Sequence, residues 1–238
     1  MAALGFVGGQ GMSDLITMDD LTNDEILEIL DAAERLLPVA NGDVYAPLLQ
    51  GKVLGNLFFE NSTRTRMSFE SAMKRLGGEV VNLSSVGSSV AKGETLYDTM
   101  QMVDGYSDIA VIRHPRQGAA QYSADAIGIP VLNAGDGAGN HPTQTMLDLF
   151  TIRQAHGTLE GLNVVLVGDL RYGRTTHSLS HALVRFGAKL TLVSPESLRM
   201  PTEIVGDLQS HGSDVVESEN LAGAIADADV IYMTRKCG

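Results

Sequence analysis

The stretch VLGNLFFENSTRTRMSFESAMKRL, residues 53–76, joins an apolar segment to an amphipathic one. The apolar residues of its first part are Val53, Leu54, Leu57 and Phe58. Their clustering is typical of a buried strand. The apolar residues of its second part are Phe69, Ala72, Met73 and Leu76. Because these recur at helical spacing, the polar residues 62–65 fall at the turn from a strand to a helix.

The turn at residues 62–65 places hydroxyl groups and an arginine at the start of this helix. The first N–H groups of a helix have no intrahelical partner and lie at the positive end of the helix dipole, so an anion is stabilised there. Arg64 and Arg66 would add forked donors that match phosphate oxygens. A simpler interpretation stays open, because Ser and Thr are ordinary N-cap residues. The turn therefore predicts either a phosphate site or a plain helix cap.

Strand-like and helical segments alternate along the rest of the chain. After a helix at residues 22–37, the first series has strands at 52–59, 80–83, 109–112 and 130–132 and helices at 65–75, 95–105 and 119–126. After a long helix at 141–153, the second series has strands at 163–167, 189–193, 215–216 and 230–233 and helices at 175–185, 202–211 and 222–226. This alternation predicts an α/β fold with two doubly wound parallel-sheet domains joined by a helix.

We expect a disordered tail at residues 1–12, a first domain at 13–150 and a second domain at 151–238. The second series ends with only five residues after its last predicted strand. Ligand loops of open α/β sheets follow the carboxyl ends of their strands. We therefore expect the second domain to be incomplete.

Composition excludes several classes of function. A net charge of −12 and a pI of about 4.8 argue against a general nucleic-acid or membrane-surface binder, since the chain would repel phosphate backbones and anionic lipids. No apolar run is long enough for a membrane span. The single cysteine, Cys237, allows no internal disulfide and suits a reducing cytoplasm. Six scattered histidines and one cysteine give no metal-ligand set, so we expect no metal.

Other polar clusters follow predicted strands, at the sheet edge where ligand sites gather. Arg113 follows one strand, and His141 opens the joining helix after a glycine-rich loop at 133–140. Each taken alone is more often a loop or cap residue. The turn at 168–175 opens a helix, but its glycines lack the G-x-G-x-x-G spacing of a dinucleotide site. Arg174 at that helix start opposes the dipole unless an anion binds there.

Five segments, in this order, together resemble the aspartate carbamoyltransferase family, whose catalytic chain joins carbamoyl phosphate to L-aspartate in pyrimidine synthesis. They are STRTR at 62–66, SVAKGET at 89–95, RHP at 113–115, HPTQ at 141–144 and GDLRYGRT at 168–175. The last segment favours the aspartate enzyme over its ornithine relative. The resemblance extends from residue 14 to residue 235.

The resemblance implies a role for each matching residue of the carbamoyl-phosphate half. The phosphate would be held by Ser62, Thr63, Arg64 and Thr65. Arg113 and His141 would donate to the carbonyl oxygen, and Gln144 would bind the carbamoyl amino group. The catalytic residues implied are Arg64, Thr65, Lys92, Arg113 and His141. No covalent intermediate, metal or organic cofactor is implied.

The acceptor half and the assembly follow from the same resemblance. Aspartate would be bound by Lys92, Arg174 and Arg235. Lys92, with Ser88 or Ser89, is similar to a loop that the family inserts into a neighbouring active site, which implies a homotrimer. The resemblance also points to a regulatory chain as a further partner.

One departure concerns the end of the chain. In the family, the arginine matching Arg235 is followed two residues later by a glutamine, then by a mobile loop and a final helix. This chain has Cys237 at the glutamine position and ends at Gly238. We therefore expect a C-terminally truncated member of the family. Two alternatives stay open: an ornithine-type transcarbamoylase, and an inactive phosphate-binding assembly subunit.

Overall fold

The computed structural model describes residues 14–84, 93–137 and 139–234. The chain divides into two compact units after Thr143. Within the described ranges, no helix has the length and apolar character needed to cross a bilayer.

The first unit alternates strands and helices from the start of the described residues. Its elements are α1 (Asn23–Asn41), β1 (Val53–Phe58), α2 (Thr63–Arg75), β2 (Glu79–Ser84), α3 (Leu96–Tyr106), β3 (Ile109–His114), α4 (Ala119–Ala126) and β4 (Val131–Asp136). The described strands form a parallel sheet in the order β2-β1-β3-β4.

Both faces of the first sheet are covered by helices. Along β1, Leu57 packs on one face in a cluster that includes Met100 of α3. Leu54 and Phe58 pack on the other face with Met73 of α2. Since neighbouring side chains of a strand point to opposite faces, a nearly continuous apolar run fills both layers of the core.

The second unit repeats this architecture with a different strand order. Its elements are β5 (Asn163–Val167), α6 (Arg174–Val184), β6 (Lys189–Val193), α7 (Thr202–Ser210), β7 (Val215–Ser218), α8 (Leu221–Ala224) and β8 (Val230–Met233). The described strands are parallel and lie in the order β7-β6-β5-β8. Helix α6 packs against β6, and α7 packs against β7. The helix α5 (Pro142–His156) lies between the two series in sequence.

The predicted fold class, two doubly wound parallel-sheet domains with a helix between them, is confirmed. The largest errors are two predicted ends that fall four residues short, at 132 against Asp136 and at 37 against Asn41. Strand β4 continues to Asp136, where a loop was predicted from residue 133. Its polar residue Asn133 is buried and satisfied, because its side chain donates to the Ile16 carbonyl and accepts from the Gly135 N–H. A hydrophobicity pattern does not detect a strand whose buried side chains are polar.

The first helix is longer than predicted. Helix α1 passes through Pro38 and ends at Asn41. A proline inside a helix removes one hydrogen bond and crowds the carbonyl four residues earlier, so it favours a helix end without forcing one at its own position. The helix ends where Gly42 takes a left-handed conformation, with φ of 87°, and its N–H bonds to the Pro38 and Val39 carbonyls.

Candidate active site

The first sheet changes winding direction between β1 and β3. Strand β2 is added on one side of β1, whereas β3 and β4 are added on the other side. Ligands of doubly wound sheets bind beside the carboxyl ends of the strands at such a point. The chain leaving β1 is joined to β3 here, since the Phe59 N–H donates to the Arg113 carbonyl at 2.8 Å. We call this place the first switch point.

The N-terminus of α2 lies at the first switch point and has no side-chain cap. Its N-cap residue Ser62 is extended, and the Ser62 hydroxyl donates to Thr65 Oγ1 at 2.9 Å instead of accepting an N–H from the first turn. In the same unit, Thr22 and Thr95 do cap their helices with side-chain oxygens. The plain-cap interpretation of this turn is therefore wrong, and the first N–H groups of α2 remain oriented for a ligand.

Arg113 is the buried cation of the first switch point, with a residue exposure of 8%. Its guanidinium donates to Glu60 Oε1 at 2.7 Å and to the Ala134 carbonyl at 3.1 Å. Within the described part of the chain, its Nε–H has no hydrogen-bond partner although it is buried. An unpaired buried donor costs about 1–3 kcal/mol, so an oxygen ligand at this atom would be stabilising.

Two histidines lie at the carboxyl ends of the strands of this sheet, His114 as the last residue of β3, where the sequence predicted a strand end at 112, and His141 after β4. His114 packs against Phe59 at 5.3 Å between ring centroids, and its Nδ1 accepts the Arg116 N–H at 3.0 Å. Burial lowers the pKa of His114, which agrees with this accepting, neutral ring. His141 is buried at the start of α5, with Thr143 Oγ1 at 3.3 Å from its Nδ1.

Asp136 holds the segment that leads to His141. Its carboxylate accepts the Gly118 N–H at 2.8 Å and the Asn140 N–H at 2.7 Å. It also accepts from the Asn133 side chain at 3.3 Å. Because β3 and β4 are neighbours, this segment leaves the same sheet edge as Arg113.

The second sheet has its own switch point, between β5 and β8. The chain leaving β5 turns at Gly168, whose φ is +116°. A side chain there would place its Cβ 2.8 Å from the Thr234 carbonyl oxygen, so only glycine fits. Thr234 in turn donates its N–H to Val167. We call this place the second switch point.

The loop after Gly168 is organised by a buried carboxylate. Asp169 is 1% exposed, and its Oδ1 accepts the N–H groups of Arg171 and Tyr172 at 3.2 and 3.0 Å. Its Oδ2 is buried and has no partner in the described part of the chain. Arg174 is the first residue of α6, whose N-cap Gly173 provides no side chain.

Gln144 is held within the second unit. Its Nε2 donates to Asp148 Oδ1 at 3.1 Å, one helical turn away in α5. Asp148 Oδ2 accepts from the Tyr232 hydroxyl at 3.2 Å. The Thr175 side chain also hydrogen-bonds Tyr232. Burial raises the pKa of both Asp148 and Tyr232.

Four of the predicted site residues lie outside the described residues: Ser88, Ser89, Lys92 and Arg235. The predicted tail at 1–12 and Cys237 also lie outside them. Of the others, the turn at residues 62–65 and Arg113 both lie at the first switch point. His141 follows the same sheet edge, Gln144 lies in α5, and Arg174 lies at the second switch point. In the part of the chain that the structure describes, no group of three His, Cys, Asp or Glu residues could hold a metal ion.

The sequence patterns missed three polar residues of these sites, namely Glu60, Asp148 and Tyr232. A carboxylate next to an anion site repels the ligand unless the carboxylate is paired with a cation. The presence of Glu60 beside residues 62–65 was therefore a signal for a nearby cation. The spacing of Gln144 and Asp148, four residues apart on a predicted helix, indicated a contact between them. No sequence signal pointed to Tyr232, because its partners come from distant segments.

Two family models match the chain. Residues 13–154 match the aspartate/ornithine carbamoyltransferase carbamoyl-P binding domain. Residues 160–237 match the aspartate/ornithine carbamoyltransferase Asp/Orn binding domain.

Similar proteins carry a consistent name. The aspartate carbamoyltransferase catalytic subunit of Methanococcoides burtonii is 54% identical over 222 residues, which are 93% of this chain and 72% of that protein. The subunit of the same name from Thermococcus kodakarensis is 52% identical over 223 residues, with the same two coverages.

Solved structures agree with these matches. The catalytic subunit of M. jannaschii aspartate transcarbamoylase has a TM-score of 0.90 and 48% identity, covering 95% of this chain and 74% of that one. Aspartate transcarbamoylase from Trypanosoma cruzi, in complex with carbamoyl phosphate and aspartate, has a TM-score of 0.88 and 40% identity, covering 94% and 76%.

Proposed function

The chain belongs to the aspartate/ornithine carbamoyltransferase family, and we propose that it transfers the carbamoyl group of carbamoyl phosphate to the α-amine of L-aspartate. The products are N-carbamoyl-L-aspartate and phosphate, and the reaction belongs to pyrimidine biosynthesis. The observation that carries the proposal is the first switch point. There the uncapped start of α2 adjoins the segment of Arg113, a buried residue whose Nε–H has no partner among the residues that the structure describes.

The phosphate of the substrate binds at the start of α2. The groups that hold it are the hydroxyls and N–H groups of Ser62, Thr63 and Thr65 and the side chain of Arg64. The helix dipole and the forked guanidinium both favour a dianion over a neutral ligand. The exposed position of Arg64 is consistent with a ligand that enters from solvent.

The carbonyl oxygen of the substrate is the atom that gains negative charge. Attack by the amine of aspartate on the carbonyl carbon produces an oxyanion, and preorganised donors stabilise that charge. Arg113 and His141 supply the donors, and the Glu60 ion pair holds the Arg113 guanidinium in place. Gln144 binds the carbamoyl amino group.

The acceptor is held by its two carboxylates. Arg174 and Arg235 bind them, and Lys92 contributes from the SVAKGET segment at 89–95. An aspartate carboxylate at the start of α6 removes the conflict between Arg174 and the helix dipole. The departing phosphate takes the amine proton, so the step needs no dedicated protein base.

Domain roles and assembly complete the proposal. Residues 13–150 form the carbamoyl-phosphate domain and residues 151–238 the aspartate domain. The chain assembles as a homotrimer in which Ser88, Ser89 and Lys92 enter a neighbouring active site, and a regulatory chain is a further partner. A cytoplasmic location agrees with the single cysteine at position 237.

The proposal is tested by supplying purified chain with isotope-labelled carbamoyl phosphate and either aspartate or ornithine. We expect labelled N-carbamoyl-L-aspartate and an equal amount of phosphate with aspartate, and no labelled product with ornithine. Citrulline formation from ornithine, or no labelled product with either acceptor, would contradict the proposal.

A further inference from the structure

Asp148 receives one hydrogen bond on each carboxylate oxygen. Gln144 Nε2 donates to Oδ1 at 3.1 Å, and the Tyr232 hydroxyl donates to Oδ2 at 3.2 Å. The Thr175 side chain hydrogen-bonds Tyr232 in addition. We call these four residues the Asp148 network. It joins α5, β8 and the first turn of α6 within the second unit.

The network determines which end of the Gln144 amide is available. An ionised carboxylate accepts hydrogen bonds and cannot donate them. Gln144 must therefore turn its NH₂ group towards Asp148, which leaves its Oε1 for another partner. With the amide rotated by half a turn, two oxygen acceptors would face each other and repel.

An amide oxygen accepts only from a donor. The carbamoyl amino group carries N–H donors, whereas a methyl group in the same place carries none. A site built to pair with an N–H rejects an analogue that lacks it, because the acceptor is then left unpaired in the complex. The orientation of Gln144 is therefore a source of selectivity for a carbamoyl over an acetyl group.

We propose that Asp148 is a positioning residue that, by fixing the Gln144 amide, makes the site selective for carbamoyl phosphate over acetyl phosphate. The inference rests on the proposed function, in which Gln144 binds the carbamoyl amino group. Tyr232 supports Asp148, since its hydroxyl occupies the second carboxylate oxygen and holds the carboxylate plane. Burial raises the pKa of Tyr232, so the phenol stays protonated and able to donate.

The test measures binding of carbamoyl phosphate, acetyl phosphate and inorganic phosphate to the full chain by titration calorimetry. Asp148→Leu removes both acceptors at similar side-chain size. We expect it to weaken carbamoyl phosphate binding about tenfold, the effect of one hydrogen bond, and to change binding of the other two ligands less than about twofold. Tyr232→Phe should weaken carbamoyl phosphate binding about two- to threefold, with the same ligand pattern.

Asp229→Leu is the matched control. Asp229 accepts the Asn163 N–H at 2.8 Å at the amino end of the same sheet, so this variant loses a carboxylate without touching the network. Two outcomes would overturn the inference alone. One is that Asp148→Leu weakens the binding of all three ligands equally. The other is that both Asp148→Leu and Tyr232→Phe keep the wild-type preference for carbamoyl phosphate. A wild-type chain that binds carbamoyl and acetyl phosphate equally would overturn the proposed function as well.

Discussion

Helices α2 and α6 start at corresponding places in their sheets, yet the buried polar atoms beside them have opposite character. At the first switch point Arg113, near the end of β3, provides an unpaired donor, its Nε, whereas the unpaired acceptor Asn56 Oδ1 lies in the middle of β1. At the second the unpaired atom is an acceptor, Asp169 Oδ2. Both statements hold for the described residues, and both Arg113 and Asp169 are more than nine-tenths buried. The same winding of strands thus creates two sites with opposite hydrogen-bonding needs.

Sheet topology thus selects the place of a ligand, and side chains select its chemistry. The first switch point matches a ligand rich in oxygen acceptors, as carbamoyl phosphate is. The second combines a cation, Arg174 at the start of α6, with a carboxylate, Asp169, in the loop before that helix. That combination suits a ligand with both charges, as an amino acid has. Variants at each switch point should therefore separate the binding of the two substrates.

The largest effect is expected from Arg113→Lys. Lysine keeps the charge but lacks the forked donors, so it cannot bond Glu60, Ala134 and a ligand oxygen together. We expect kcat to fall about 10²–10³-fold, as when an oxyanion donor is lost. Arg116→Lys, three residues further and exposed, is the control and should stay within about twofold of wild type. Steady-state kinetics at saturating substrates measures both, and an equal kcat in the two variants would remove Arg113 from the chemistry.

Arg64→Ala should weaken phosphate binding about 10- to 100-fold, since hydrogen bonds to charged groups contribute about 1.5–3 kcal/mol each. The matched control is Lys74→Ala, which removes the same charge at the far end of α2, where Lys74 pairs with Glu70. The measurement is the rise in thermal midpoint with added inorganic phosphate. If Arg64→Ala and Lys74→Ala retain the same protection, the anion does not bind at the start of α2.

The sequence predicted the first switch point well because its signals are local. Apolar spacing placed the strand and helix on either side of residues 62–65, and the ends of β1 and α2 lie within about two residues of the prediction. The missing side-chain cap at Ser62 was not predictable, because Ser caps many helices and only the Ser62–Thr65 bond decides the matter. Pairings between distant segments, such as Asp148 with Tyr232, leave no local pattern.

Arg174→Ala removes a cation of the second switch point. We expect the KM for aspartate to rise about tenfold, because one charge-assisted contact to a carboxylate is lost. Carbamoyl phosphate binding should change less than about twofold. Arg171→Ala is the control, since Arg171 lies in the same loop but stacks on Tyr172 at 5.4 Å. A parallel loss of carbamoyl phosphate affinity in Arg174→Ala would show that the two switch points do not divide the substrates as proposed.

The smallest expected effect is on the pH dependence of stability and involves His177. This residue lies in α6 beside the second switch point, and its Nε2 is 2.7 Å from the Leu170 carbonyl oxygen. Burial, the main cause, lowers the pKa of His177 below its ordinary value. The unfolded chain therefore binds a proton more readily than the folded chain, and stability falls as the pH drops below about 6.5. Above that pH the imidazole is neutral in both states, and this contribution to the pH dependence disappears.

His177→Gln should accordingly reduce the loss of thermal midpoint between pH 7.5 and pH 5.5 by about 1–2 °C, as measured by calorimetry. His114→Gln is the counterpart at the first switch point, where burial also lowers the histidine pKa. Asp148 acts in the opposite direction, because burial raises its pKa and the folded chain then gains stability on acidification. For that reason, each histidine variant must be compared with wild type at both pH values. A steeper acid loss in His177→Gln than in wild type would mean that protonated His177 stabilises the second unit, contrary to its burial.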